Sequence, residues 1–95
     1  MGCQYEVKNE ILKSICYTEL VYKRINKKLN IKFSKEQIEK LMFGVIQNTD
    51  EEYFERIGKN YYITNIEHNI RITVNSNTFR VITADRKMKK IKNEY

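Results

Sequence analysis

The sequence predicts an α+β fold, with helices in the first half and an antiparallel sheet in the second. Two observations carry this. The apolar period is helical up to about residue 48 and becomes two from Asn60 onward. The later stretch also consists of β-branched and aromatic runs separated by short polar turns. A chain of 95 residues without proline, internal repeat or low-complexity linker suits one domain, assigned to residues 1–85, followed by a basic tail at 86–95.

The first element is a long helix over about 8–30. Ile11, Ile15, Tyr22, Ile25 and Leu29 recur at helical spacing, flanked by Leu12, Cys16, Leu20 and Val21, a stripe wide enough for burial on more than one side. Cys16 on that stripe reads as a buried, inert thiol. The helix ends in Lys23, Arg24, Lys27 and Lys28, with Asn30 as its stop. Cations there suit the negative end of the helix dipole, and Glu19 stands four residues before Lys23. A phosphate-binding role is the rival reading of the cluster.

A second helix spans about 34–48. Ser34 and Gln37 form a capping box, Phe33 can staple onto Ile38, and Ile38, Leu41, Met42, Val45 and Ile46 build one apolar face. Thr49 with Glu52 offers another cap, so a short third helix is placed at about 50–57, with Phe54 and Ile57 turned inward. The alternative for this stretch is a strand leading into a turn at Gly58 and Lys59.

Strands follow at about 60–65, 70–75 and 78–84, joined as a three-stranded antiparallel meander. A four-residue turn at 66–69 sets Ile63 opposite Ile72 and Tyr61 opposite Val74. A tight turn at Ser76 and Asn77 would set Val74 opposite Phe79 and Ile72 opposite Val81. Tyr61, Ile63, Ile70, Ile72, Val74, Phe79 and Val81 then share the face that the helices cover. The other face would carry Tyr62, Thr64, Arg71, Thr73, Arg80 and Ile82, with Tyr62, Thr73 and Arg80 in one row.

That second face is the candidate site. An aromatic ring beside guanidinium groups can stack on bases and grip phosphates. The expected nucleic-acid-binding set is Tyr62, Arg71, Thr73 and Arg80, extended by Arg86, Lys87, Lys89 and Lys90 of the tail. An ordinary solvated sheet face explains the same residues, since Thr, Arg and Tyr all suit strands. The net charge of +6 invites the binding reading. The tail, with five basic residues and one acid, supplies +4 of it, which leaves only +2 for residues 1–85.

Other classes find less support. Cys3 and Cys16 make neither a metal-ligand spacing nor a disulfide framework, so no metal or cofactor is expected. No apolar run reaches the roughly 18 residues of a membrane span, no signal-peptide pattern is present, and "MGCQYE" lacks the Ser or Thr at position 6 that acylation wants. A cytoplasmic location follows. No Gly-rich phosphate loop, nucleophile elbow or paired-carboxylate spacing occurs. A ribonuclease could be assembled only by combining Glu67 or His68 with Arg71, Arg80 and Tyr62.

"CYTELVYKRINKKL" at 16–29, with "NYYITN" and "NIRITVNSNTFRVITADR" at 60–86, resembles a family of short uncharacterised bacterial proteins. The likeness covers roughly Ile11 to Arg86 and implies no activity. More loosely, helices followed by a meander ending "FRVITADR" are similar to the RelE and BrnT group of small toxin ribonucleases, an analogy of fold. Three functions are therefore carried forward: a small non-catalytic domain contacting RNA or DNA, a protein-interaction module or homodimer, and a toxin-like ribonuclease.

Overall fold

The computed structural model describes residues 3–86, and side chains from Val7 onward. Its elements run α1 (Cys3–Ser14), α2 (Glu19–Leu29), α3 (Lys35–Gln47), a 3-10 turn (Glu51–Tyr53), then β1 (Phe54–Ile57), β2 (Asn60–Asn65), β3 (Ile70–Asn75) and β4 (Val81–Arg86). The strands form one antiparallel sheet in the order β1-β2-β3-β4. Helices and sheet share a single core that includes Ile11, Val21, Ile25, Ile38, Met42 and Ile46 on one side and Ile63, Ile72, Val74 and Val81 on the other.

The long first helix is in fact two. Between Ser14 and Glu19 the chain reads Ile15-Cys16-Tyr17-Thr18, a run of β-branched and aromatic residues with weak helix preference. It takes up extended backbone instead. Cys16 N–H donates to the Phe79 carbonyl at 3.0 Å, and the Cys16 carbonyl accepts from Val81 N–H at 2.9 Å, so this segment docks in parallel on the start of β4. Cys16 is consequently exposed rather than buried, its thiol 3.6 Å from the Thr78 carbonyl. Glu19 does not pair with Lys23 either; it meets Lys35 at 2.6 Å. The stop at Asn30 is as expected, with Asn30 in the left-handed region at φ 59.

The α3 helix follows its sequence signals closely. Ser34 accepts from Gln37 N–H, Gln37 reaches back to Ser34 N–H, and Ile38, Met42, Val45 and Ile46 are buried. Thr49 is not the next cap. It is buried, donates its hydroxyl to the Val45 carbonyl at 2.6 Å, and so closes α3 from below. The expected helix over 50–57 shrinks to one 3-10 turn, and Phe54 to Ile57 become a fourth strand paired with β2 through Gly58, whose φ is +62. Phe54 turns inward, but Ile57 is 56% exposed, because alternation along a strand sends it to the other side.

Pairing of β2 with β3 matches expectation, with Ile63 opposite Ile72 and Tyr61 opposite Val74. Pairing of β3 with β4 does not. Asn75 Oδ1 accepts from the N–H groups of Asn77 and Thr78, which organises a four-residue turn instead of a two-residue one. Phe79 ends that turn at φ +61 and lies outside the strand. Val74 therefore faces Val81, and a bulge at Ile82 resets the register so that Thr73 faces Thr83 and Ile72 faces Ala84.

Candidate nucleic-acid interface

Alternation places Glu55, Tyr62, Thr73 and Thr83 in one row across the sheet face that lies away from the helices. Thr64, Arg71 and Asp85 form the next row. Three of the expected residues thus come together on this face: Tyr62, Arg71 and Thr73. The Arg71 guanidinium carbon lies 5.7 Å from the centroid of the Tyr62 ring, a cation–π contact between diagonal neighbours on β3 and β2. Thr73 is only 6% exposed, sheltered within its row. Arg71 Nε, Thr83 Oγ1 and Asp85 Oδ1 are buried without a hydrogen-bond partner. Lys28 Nζ stands 3.4 Å from Asp85 Oδ1, an ion pair on the exposed side of α2.

Arg80 does not join them. The four-residue turn lifts it out of β4, and the bulge puts Thr83 where Arg80 was expected. It lines instead a groove of about 210 Å³ between α2 and the start of β4, with Leu20, Arg24 and Ile82. Arg86 belongs to β4, where its guanidinium donates to the Leu29 carbonyl at 3.1 Å and so closes the end of α2. Lys87, Lys89 and Lys90 lie outside the described residues.

The larger basic feature is the Lys23–Lys28 cluster, for which helix chemistry is the first reading and phosphate binding the rival. Leu20, Lys23, Arg24, Lys27 and Lys28 occupy the exposed stripe of α2, opposite buried Val21, Ile25 and Leu29. Two stacked tyrosines stand at the start of the same helix. Tyr17 and Tyr22 are 5.6 Å apart between ring centroids, and Lys35 Nζ is 5.5 Å from the centroid of Tyr22. The Tyr22 hydroxyl donates to Glu39 at 2.5 Å. Burial and that bond push its pKa up to about 12. Burial, then the Glu39 carboxylate, raises Tyr17 as well. The pairing of stacked rings with a cationic stripe was hidden in the sequence, because Tyr17 was read as part of a continuous helix.

The ribonuclease set is not assembled. His68 sits in the turn between β2 and β3, its backbone N–H donating to Asn65 Oδ1 at 2.7 Å. Arg80 sits beyond the opposite end of β3, and six residues of strand separate those ends by about 17 Å. Among the described residues no group of three or more His, Cys, Asp or Glu side chains could hold a metal ion, and no helix is long and apolar enough to cross a membrane.

Residues 9–85 match the family model described as "Protein of unknown function (DUF3781)". The chain belongs to this family. The match spans α2, α3 and nearly the whole sheet, so the DUF3781 unit contains both the Tyr62–Arg71 face and the cationic stripe. No curated protein and no solved structure matches the chain, so the looser likeness to RelE-type toxins gains no relative.

Proposed function

We propose that this DUF3781 chain is a nucleic-acid-binding domain that presents Tyr62 and Arg71 to unpaired bases, with Thr73 buried beneath them. The observation that carries the reading is the Arg71 guanidinium held over the Tyr62 ring on the sheet face opposite the core residues Ile63, Ile72 and Val74. A ring and a flat cation ordered in advance lose little freedom on stacking against a base, and every base offers a π face. Glu55 and Asp85 flank the pair, which disfavours a phosphate there and favours the amino edges of bases, whose N–H groups a carboxylate accepts. Arg80 and the basic tail then serve the backbone. A domain of this kind would work in the cytoplasm, where RNA is abundant.

Fluorescence anisotropy with short single-stranded RNA and DNA tests the reading. Replacing both Arg71 and Arg80 with Ala should weaken binding at least several-fold. Unchanged affinity in that double variant would remove the site assignment, and absence of binding by the intact chain at moderate salt would remove the function.

A protein partner remains the second reading, because β1 is a sheet edge with no strand on its outer side among the described residues. A second copy suits it poorly. Antiparallel self-pairing centred on Glu55 or on Arg56 sets like charges against each other, so this edge favours a different chain.

A further inference from the structure

The outward stripe of α2 has no explanation in folding that accounts for all of its charge. Arg24 donates to the Ile82 carbonyl at 3.3 Å and Lys28 approaches Asp85, so these two lace the helix to β4. Lys23, Lys27 and the Arg80 side chain have no ion pair or hydrogen bond among the described residues. The dipole argument covers Lys27 in the last turn but not Lys23, which lies a full turn earlier. Successive cations four residues apart rise about 6 Å along the axis, which gives two short parallel rows, Lys23 with Lys27 and Arg24 with Lys28.

We infer that this stripe, with Arg80, is a contact site for the phosphate backbone of single-stranded RNA; the inference rests on the proposed nucleic-acid reading. Charge complementarity is the first argument. Five cations line α2 and the adjoining groove, and among the described residues the only carboxylate paired with one of them is Asp85, at Lys28. A lipid surface is the poorer occupant. Val21, Ile25 and Leu29, which a membrane-bound helix would insert, are buried in the core. Leu20, 71% exposed, is the stripe's one large apolar side chain and sits between Arg24 and Arg80 in the groove, where it can support a sugar or a base edge.

The second argument is the relation between the two surfaces. Tyr62 on β2 and Thr83 on β4 are two strands apart, about 10 Å, and α2 packs along β4. The phosphate stripe and the base platform therefore lie on two sides of the β4 edge. A flexible single strand can turn that edge and use both. A duplex, stiff over about 150 base pairs, can use only one.

The test is a salt titration of the full chain with a 20-nucleotide oligouridine, a 20-base-pair DNA duplex and poly-glutamate. Each is repeated with Lys23→Gln/Lys27→Gln and with Tyr62→Ala. Both lysines are exposed, and an unchanged melting temperature will show that their variant is folded. Each single-strand phosphate contact adds about 0.7 to the slope of log affinity against log salt, so losing two should lower that slope by about 1.4. Oligouridine should bind more tightly than the duplex, and Tyr62→Ala should weaken it without changing the slope. If oligouridine binds but the lysine variant keeps the full slope, the α2 site is wrong while the nucleic-acid reading stands. If poly-glutamate binds as tightly as oligouridine, the stripe is a surface for acidic protein and the RNA assignment falls. If no nucleic acid binds at 50 mM salt, both the inference and the proposed function are overturned.

Discussion

Asn65 Nδ2 lies 2.9 Å from Thr49 Oγ1 inside the core, where one residue ends β2 and the other follows α3. The same amide reaches the Val45 carbonyl at 3.3 Å, and Asn65 Oδ1 accepts from His68 N–H at 2.7 Å. One side chain thus ties the helix end, the strand end and the β2–β3 turn. Asn65→Ala should cost about 2–3 kcal/mol, since it leaves buried groups without partners. Thr49→Val should cost about 1–2 kcal/mol, and the double variant less than the two losses combined, because the variants share one bond. Urea unfolding of the four proteins would show this, and strict additivity would mean that the pair is not coupled.

The capping box of α3 makes a simpler prediction. Ser34 Oγ accepts from Gln37 N–H at 3.2 Å, and Ser34 N–H donates to Gln37 Oε1 at 2.8 Å. Ser34→Ala removes the first bond and should lower stability by about 1 kcal/mol, while Ser34→Asp should retain most of it. Equal midpoints for wild type and the alanine variant in chemical denaturation would contradict this.

These two cases differ in how far the sequence disclosed them. Ser34 and Gln37 act three residues apart, so local order suffices to see the box. Thr49 and Asn65 are 16 residues apart, and Thr49 looked like a cap because its neighbours suited one. The same contrast explains the fold. The α3 stripe and the β2–β3 register follow from nearby residues and were legible. The break before α2 depends on Cys16 meeting Arg80, 64 residues away, and β1 depends on Phe54 finding Ile63. Arg80 was misplaced because Phe79 takes a left-handed conformation that bulky residues rarely adopt, and nothing local announces it. The Tyr62–Arg71 pair needed only the β2–β3 register, which is why that part of the site could be read in advance.

Alkaline pH should expose the role of Tyr22. Burial and the bond to Glu39 push its hydroxyl up to about 12, above the ordinary 10. The folded state therefore holds this proton more tightly than the unfolded state. The resulting stabilisation is complete below pH 10 and is lost as pH rises toward 12. Tyr22→Phe should be less stable than wild type at pH 8 by up to about 1 kcal/mol, the value of one partly exposed hydrogen bond. The gap should close between pH 10 and 12. A gap that stays constant across that range, measured by urea unfolding at each pH, would show that the hydroxyl is not coupled to folding.

Arg71 and Tyr62 separate binding from stability. Both residues are half-buried, so Arg71→Ala should cost no more than about 1 kcal/mol in folding. Binding of single-stranded RNA should fall far more in relative terms, since the variant loses a stacking surface and a charge together. Tyr62→Phe keeps the ring and should preserve both properties within a factor of about two. Tyr62→Ala removes the platform and should lose binding through a base contact that salt does not screen. Arg71→Lys is the sharper control. It keeps the charge but not the planar fork, so a platform requires it to bind nearly as poorly as the alanine variant. If Arg71→Lys binds like wild type, the face supplies charge alone, and the stacking role assigned to Tyr62 is wrong.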